Sequence, residues 1–224
     1  MRTPLNGVLG MLELLGPHVD DEQAGIYLGT ASDSATRLHQ LLSRLLDLVD
    51  LDGGSLATHR GSVDPVGFAD DLRTRWQRRG LATGHLLTVT SYLGDVALVV
   101  DEGRVGQIID ELLDNTTTHG SPGAVRVSLR RERDDLVVTV QDAGPGIDPA
   151  LIDGLFSDFA MLDNTSARTS EGLGLGLGLS QRMAQAMGGD LCLESDGATG
   201  TTATLRVPVG SATQASPELT EEKA

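Results

Sequence analysis

Aromatic residues make up only 3% of the 224-residue chain, so a core has to be built from Leu, Val, Ile and Ala. The one cysteine, Cys192, excludes an internal disulfide and fits a reducing compartment. Positive charge is as scarce: the one lysine, Lys223, stands near the C-terminus, so a fixed cation in a site has to be arginine. With a net charge of −15 the chain is no candidate for a nucleic-acid groove or an anionic membrane surface, since both require a positive field. No apolar run reaches the length of a membrane span, and no basic-then-apolar signal peptide opens the chain. The expectation is a cytoplasmic protein without direct membrane insertion, possessing any transmembrane sensing part outside this stretch.

What is present begins with two helical patterns. Leu5, Val8, Leu12 and Leu15 repeat at 3-4-3 spacing within residues 2–15, and Leu38, Leu41, Leu45 and Leu48 do so within residues 22–50. Gly16 to Asp21 supply a helix stop and an acidic start between them. A two-helix hairpin over residues 1–55 cannot close a core alone. The expected solution is a second copy, giving a dimeric four-helix bundle, with packing on the rest of the same chain as the alternative.

A polar linker is read over 56–64, a globular unit over 65–209 and a disordered tail over 210–224, which is rich in Ser, Thr, Ala and Glu. Within the globular unit, Pro65 opens a helix to about Arg79, and strands are expected at Leu86–Tyr92 and Asp95–Val100. A central helix follows, with Val105, Ile108, Ile109, Leu112, Leu113 and Thr116 on one face. Strands at Ala124–Arg130 and Leu136–Val140, a short helix at Pro149–Phe156, a helix at Gly176–Met187 and strands at Asp190–Glu194 and Thr201–Val207 complete the pattern. The fold class is α+β, a mixed sheet with helices on one face.

Chemistry concentrates in three stretches. Asp142-Ala143-Gly144-Pro145-Gly146-Ile147 places a carboxylate after an apolar strand and before two turn glycines, so backbone can approach a flat ligand while Asp142 accepts a hydrogen bond. An adenine with its exocyclic amine fits that demand. Gly172-Leu173-Gly174-Leu175-Gly176-Leu177-Gly178 precedes a helix and can turn free N–H groups toward phosphate oxygens. Each box alone is weak, since Asp-x-Gly-x-Gly also occurs in ordinary β-turns and Gly/Leu alternation in low-complexity filler. The third stretch is the polar face of the central helix, where Glu111 and Asn115 stand one turn apart and His119 one turn further. An amide oxygen and a carboxylate so placed can hold a hydrated Mg²⁺ that bridges nucleotide phosphates, and the carboxylate can take a proton from a nucleophile.

In this order the stretches resemble the bacterial sensor histidine kinases. Asp101 to Asn115 is similar to their N box, Asp142 to Ile147 to the first glycine box, Phe156 with Phe159 to the F box, and Gly172 to Leu177 with Met187-Gly188-Gly189 to the second glycine box. Met1-Arg2-Thr3-Pro4-Leu5-Asn6-Gly7 resembles the segment that follows the phospho-accepting histidine. The resemblance implies an α/β sandwich of the histidine kinase/gyrase ATPase type that binds ATP·Mg²⁺ beneath a lid, joined to a dimeric hairpin. It implies Asn115 and Glu111 at the metal, Glu111 as acid/base residue, Asp142, Gly144 and Gly146 at the adenine, and Gly172, Gly174 and Gly176 at the phosphates. Arg168 in the lid can reach the γ-phosphate, His119 matches relatives with histidine there, and Thr3 sits where a side chain orients water for dephosphorylating a response-regulator receiver domain.

The same resemblance puts the acceptor histidine two positions before Met1, and none of His18, His39, His59, His85 and His119 occupies its place. Autophosphorylation of this chain is therefore not expected. Glu111-Leu112-Leu113-Asp114-Asn115 also resembles the Glu-x-x-Asp-Asn of gyrase and chaperone ATPases, which keeps hydrolysis to water open beside phosphotransfer. A non-catalytic dimeric scaffold that binds nucleotide or a response regulator is the remaining alternative.

Overall fold

The computed structural model describes residues 12, 22–54, 56–157 and 176–210. The expected helix over 2–15 apart from Leu12, the lid around Arg168, the second glycine box before Gly176 and the tail from 211 lie outside the described residues. The chain divides between Leu56 and Ala57 into two compact units.

In the first unit one helix, α1 (Glu22–Asp52), carries the second apolar stripe. No proline interrupts it, and it stops where two glycines allow a left-handed turn. Gly53 N–H bonds the Val49 carbonyl at 3.0 Å, and Gly54 takes φ +63°. Leu38, Leu41, Leu45, Leu46 and Val49 are all exposed, with Leu38 at 57% and Val49 at 59%. His39 on the same helix is half-buried, and its Nδ1 is shielded from solvent without a hydrogen-bond partner among the described residues.

The second unit runs β1 (Gly61–Val63), α2 (Pro65–Thr83), β2 (Leu86–Tyr92), β3 (Leu98–Val100), α3 (Glu102–His119), β4 (Ala124–Glu132) and β5 (Asp135–Asp142). After them come α4 (Pro149–Ile152), a 3₁₀ turn (Asp153–Phe156), α5 (Gly176–Ala186), β6 (Asp190–Ser195) and β7 (Thr201–Pro208). Five strands form one sheet in the order β2-β4-β5-β7-β6, parallel between β2 and β4 and antiparallel elsewhere. β1 pairs antiparallel with β3 alone, so a short strand stands within the stretch read as linker. The strand expected from Asp95 begins at Leu98, because Gly94 turns the chain at φ +68°. α2 runs past Arg79 to Thr83, where Gly84 at φ +76° ends it.

Capping aspartates fix both long helices of this unit. Asp64 accepts from Val66 and Gly67 N–H at 3.1 Å each, with Pro65 at the first helical position of α2. Asp101 accepts from Arg104 N–H at 3.0 Å and so starts α3, and its other oxygen accepts from His59 N–H at 2.6 Å. α3 lies on β5 and against α5, and its Val105, Ile108, Ile109, Leu112 and Leu113 are buried, as are Leu136 and Val138 of β5. Each such aliphatic side chain contributes about 1.5–3 kcal/mol by leaving water. Trp76 Nε1–H donates to Asp110 at 2.6 Å and Arg75 to the same carboxylate at 2.8 Å, pinning α2 to α3.

The other sheet face is largely polar, with Val137 its buried apolar exception on β5. Strand register sets Thr90, Ser128, Thr139, Thr204 and Cys192 in one row across all five strands. Helices therefore cover one side only, as the alternation in the strands demands.

Candidate nucleotide site

The C-terminal half of α3 carries the polar side chains of the site. Glu111, Asp114 and Asn115 are half-buried there, opposite the apolar stripe that seats the helix on the sheet. Gly176, the first residue of α5, comes so close to the Glu111 carboxylate that a methyl group at Gly176 would overlap it. Two motifs far apart in sequence thus meet at one point. The first N–H groups of a helix have no partner within it, and this end of α5, with its positive dipole end, stands beside the carboxylate.

Asn115 adds a second feature. Its Nδ2 is buried without a hydrogen-bond partner. Amide nitrogen and oxygen are interchangeable by rotation, so the buried end can equally be the oxygen that a hard cation takes. Among the described residues no group of three or more His, Cys, Asp or Glu side chains could hold a metal alone. That donor set fits Mg²⁺ arriving with a nucleotide, since this ion keeps its waters and phosphate oxygens and needs only one or two protein oxygens.

The third part is the loop after β5. Asp142 Oδ1 accepts from Gly144 N–H at 2.7 Å, and its second oxygen has no partner among the described residues. A side chain at Gly144 would lie 2.8 Å from that Oδ1 and 3.6 Å from Gly120 Cα and Ser121 N. The loop therefore packs against the end of α3, where Gly120 N–H caps the Thr116 carbonyl at 2.9 Å. Gly146 holds φ +76°, and a side chain on it would meet Ala198 N and Ser195 Oγ at 2.8 Å each. Glu111 thus meets the start of α5 at Gly176, while the loop from Asp142 to Gly146 meets the residues just past α3 and the β6–β7 turn.

His119 closes α3, with its side chain outside the described residues; Thr3, Arg168, Gly172 and Gly174 lie outside them altogether. Sequence reading missed the turn between β6 and β7 as part of this region. Ser195 Oγ accepts from Ile147 N–H at 2.8 Å and donates to the Gly200 carbonyl at 2.6 Å. Gly200, at φ +107°, presses on the Asp142 carbonyl. The only sequence signal was the pair of glycines, Gly197 and Gly200, in a short turn.

Asp196 shapes the same turn. Thr199 Oγ1–H, Thr199 N–H and Ala198 N–H all donate to its carboxylate, at 2.6, 2.8 and 2.8 Å, and hold its pKa down from 3.8 to about 2. A depressed pKa means that the turn's stabilisation is complete above the ordinary carboxylate value and is lost as pH falls through the folded one. Amide resonances of Ala198 and Thr199 should therefore hold their positions down to pH 3.8 and shift together as pH approaches about 2.

No helix among the described residues is long and apolar enough to cross a membrane. A family model for the histidine kinase-, DNA gyrase B- and HSP90-like ATPases matches residues 100–211, and one for the His Kinase A (phospho-acceptor) domain matches residues 1–54. The sensor protein TorS of Escherichia coli K12 is 29% identical over 227 residues, covering 99% of this chain and 24% of TorS. The autoinducer 2 sensor kinase/phosphatase LuxQ of Vibrio parahaemolyticus is 28% identical over 93% of this chain and 25% of its own length. The chain thus spans about a quarter of these relatives. Full-length ShkA, solved in complex with AMPPNP, superposes with a TM-score of 0.74 at 25% identity, over 94% of this chain and 44% of ShkA. Acinetobacter baumannii AdeS gives a TM-score of 0.65 at 16% identity, over 91% of this chain and 94% of that one, a likeness of fold alone. The chain belongs to the histidine kinase-, DNA gyrase B- and HSP90-like ATPase family and is the core of a sensor histidine kinase: a His Kinase A domain, of the type that dimerises, followed by an ATP-binding domain.

Proposed function

We propose that this chain binds ATP with Mg²⁺ in the space between α3, α5 and the Asp142 loop, and moves the γ-phosphate to a histidine of a His Kinase A domain and onward to a receiver-domain aspartate. The observation that carries this reading is the approach of the Glu111 carboxylate to the first turn of α5, beside the unpartnered buried end of Asn115. Asp142 accepts the adenine amine through its second oxygen, and Gly144 and Gly146 keep the loop low enough for a flat base to lie against backbone. Asn115 and Glu111 hold the metal. Bound Mg²⁺ would neutralise charge on the phosphates. N–H groups at Gly176, with Gly172 and Gly174 before it, cradle the phosphates. Glu111 takes the proton of the attacking imidazole, and Arg168 and His119 serve the γ-phosphate side. Phosphoryl transfer needs little beyond such positioning and charge neutralisation.

The exposed Leu38, Leu41, Leu45 and Val49 stripe supports a homodimer through residues 1–55, because a helix with so much aliphatic surface in water is incomplete. Thr3 orients water when the phosphoryl group is removed from the receiver, on the cytoplasmic side of a larger sensor.

The test mixes this chain, γ-labelled ATP and Mg²⁺ with a second chain that carries the acceptor histidine but has Asn115→Ala. Acid-labile label on the second chain is the expected result. Label on neither, with ATP still bound, would replace the proposal by a scaffold; steady phosphate release without labelled histidine would replace it by hydrolysis. Asn115→Ala in this chain should weaken ATP binding about tenfold in Mg²⁺ and much less in EDTA, the loss expected for one metal-directed contact.

A further inference from the structure

The structure assigns Ser195 as a positioning residue for base recognition: from the end of β6 its hydroxyl grips the Ile147 N–H and the Gly200 carbonyl together, and so fixes how Asp142 presents its carboxylate. This rests on the proposed ATP site. A hydroxyl has one proton and two lone pairs, and Ser195 uses the proton on Gly200 at 2.6 Å and a lone pair on Ile147 at 2.8 Å. The loop is thereby fastened at both ends. At its start Gly144 N–H holds Asp142 Oδ1 at 2.7 Å, and at its end Ile147 is held by a residue nearly fifty positions further on. Between the two anchors lies Gly146 at φ +76°, the point where the backbone is freest to swing.

The anchor also reaches Asp142 from behind. Gly200 abuts the Asp142 carbonyl, so one side chain ties the β6–β7 turn to both the first and the last residue of the loop. Removing the hydroxyl leaves Ile147 N–H and the Gly200 carbonyl without their partner. The loop then samples geometries in which the Asp142 carboxylate is turned from the base, and affinity falls by the fraction of time spent there. Asn115, Glu111 and Gly176 stand on other elements and keep their places. The effect is on recognition of the exocyclic amine.

Two ligands separate this role from a general fold defect: ATP, and purine riboside triphosphate, which lacks the exocyclic amine. Full-length chain is titrated with each, as wild type, Ser195→Ala and Ser195→Thr, with melting followed alongside. Wild type is expected to prefer ATP. Ser195→Ala should bind ATP about tenfold more weakly and the amine-free nucleotide within twofold of wild type, with Ile147 amide exchange accelerated. Ser195→Thr, which keeps the hydroxyl, should restore the preference. Equal weakening of both ligands, or no weakening of either, would overturn the role of Ser195 while leaving the ATP site standing. A wild-type chain that binds neither would overturn the ATP site itself, and Ser195 with it.

Discussion

Gly176→Ala should cut phosphate transfer about a thousandfold while leaving the melting temperature where it is. The reason lies in what the new methyl group meets. At Gly176 it would overlap the Glu111 carboxylate, the far end of a flexible side chain and not backbone. Glu111 can rotate away without moving backbone, and alanine is the better helix former by up to about 1 kcal/mol, which offsets contacts the carboxylate gives up. What is lost is the place of the carboxylate. A general base contributes on the order of a hundredfold to ten-thousandfold, and only within hydrogen-bond reach of the proton it removes. Transfer to a separate acceptor chain, ATP binding and thermal melting should all be measured. Melting within about 2 °C of wild type with transfer reduced a thousandfold is the expected combination. Transfer within threefold of wild type would remove Glu111 from the role of base.

That contact also marks the limit of what could be read in advance. α3 was legible because its stripe from Val105 to Thr116 keeps helical period and Asp101 caps it, and both signals are local. The outer strands of the five-stranded sheet were legible because one face is buried and the other largely is not, which favours alternation, and the central β5 because its run Leu136-Val137-Val138 is buried on both faces. β1 was not, because only Val63 of its three residues is buried and the strand exists through pairing with Leu98–Val100. Each of Glu111, Asn115, Asp142 and Gly176 could be named from chemistry and order. That Glu111 touches Gly176 could not, since two helices far apart in sequence meet only through packing. Ser195 was invisible for the same reason: a lone serine at a strand end carries no signal until Ile147 and Gly200 are seen beside it. Thr3, Arg168, Gly172 and Gly174 lie outside the described residues, and their roles are proposals from motif order alone.

Gly200→Ala acts on the same region by the opposite route, through backbone. Gly200 holds φ +107°, beyond the left-handed helical region that asparagine or alanine can visit, and only glycine rests there without strain. The added methyl group would also run into the Asp142 carbonyl, which belongs to a strand paired on both sides and cannot rotate away. Relief requires the β6–β7 turn to move off the loop, and that breaks the Ser195 bond to the Gly200 carbonyl. Strain, overlap and a lost hydrogen bond together set a cost of about 3 kcal/mol, hence a melting transition lowered by roughly 10 °C. ATP affinity should fall with it, because the moving turn carries the far anchor of the Asp142 loop. Gly197, also left-handed at φ +76°, has only contacts of 3.7 Å or more around an added methyl group, so Gly197→Ala isolates backbone strain without overlap. The two melting curves should differ by several degrees. If both variants melt together, the contact between the turn and the Asp142 carbonyl holds nothing in place, and the first glycine box stands on its own residues alone.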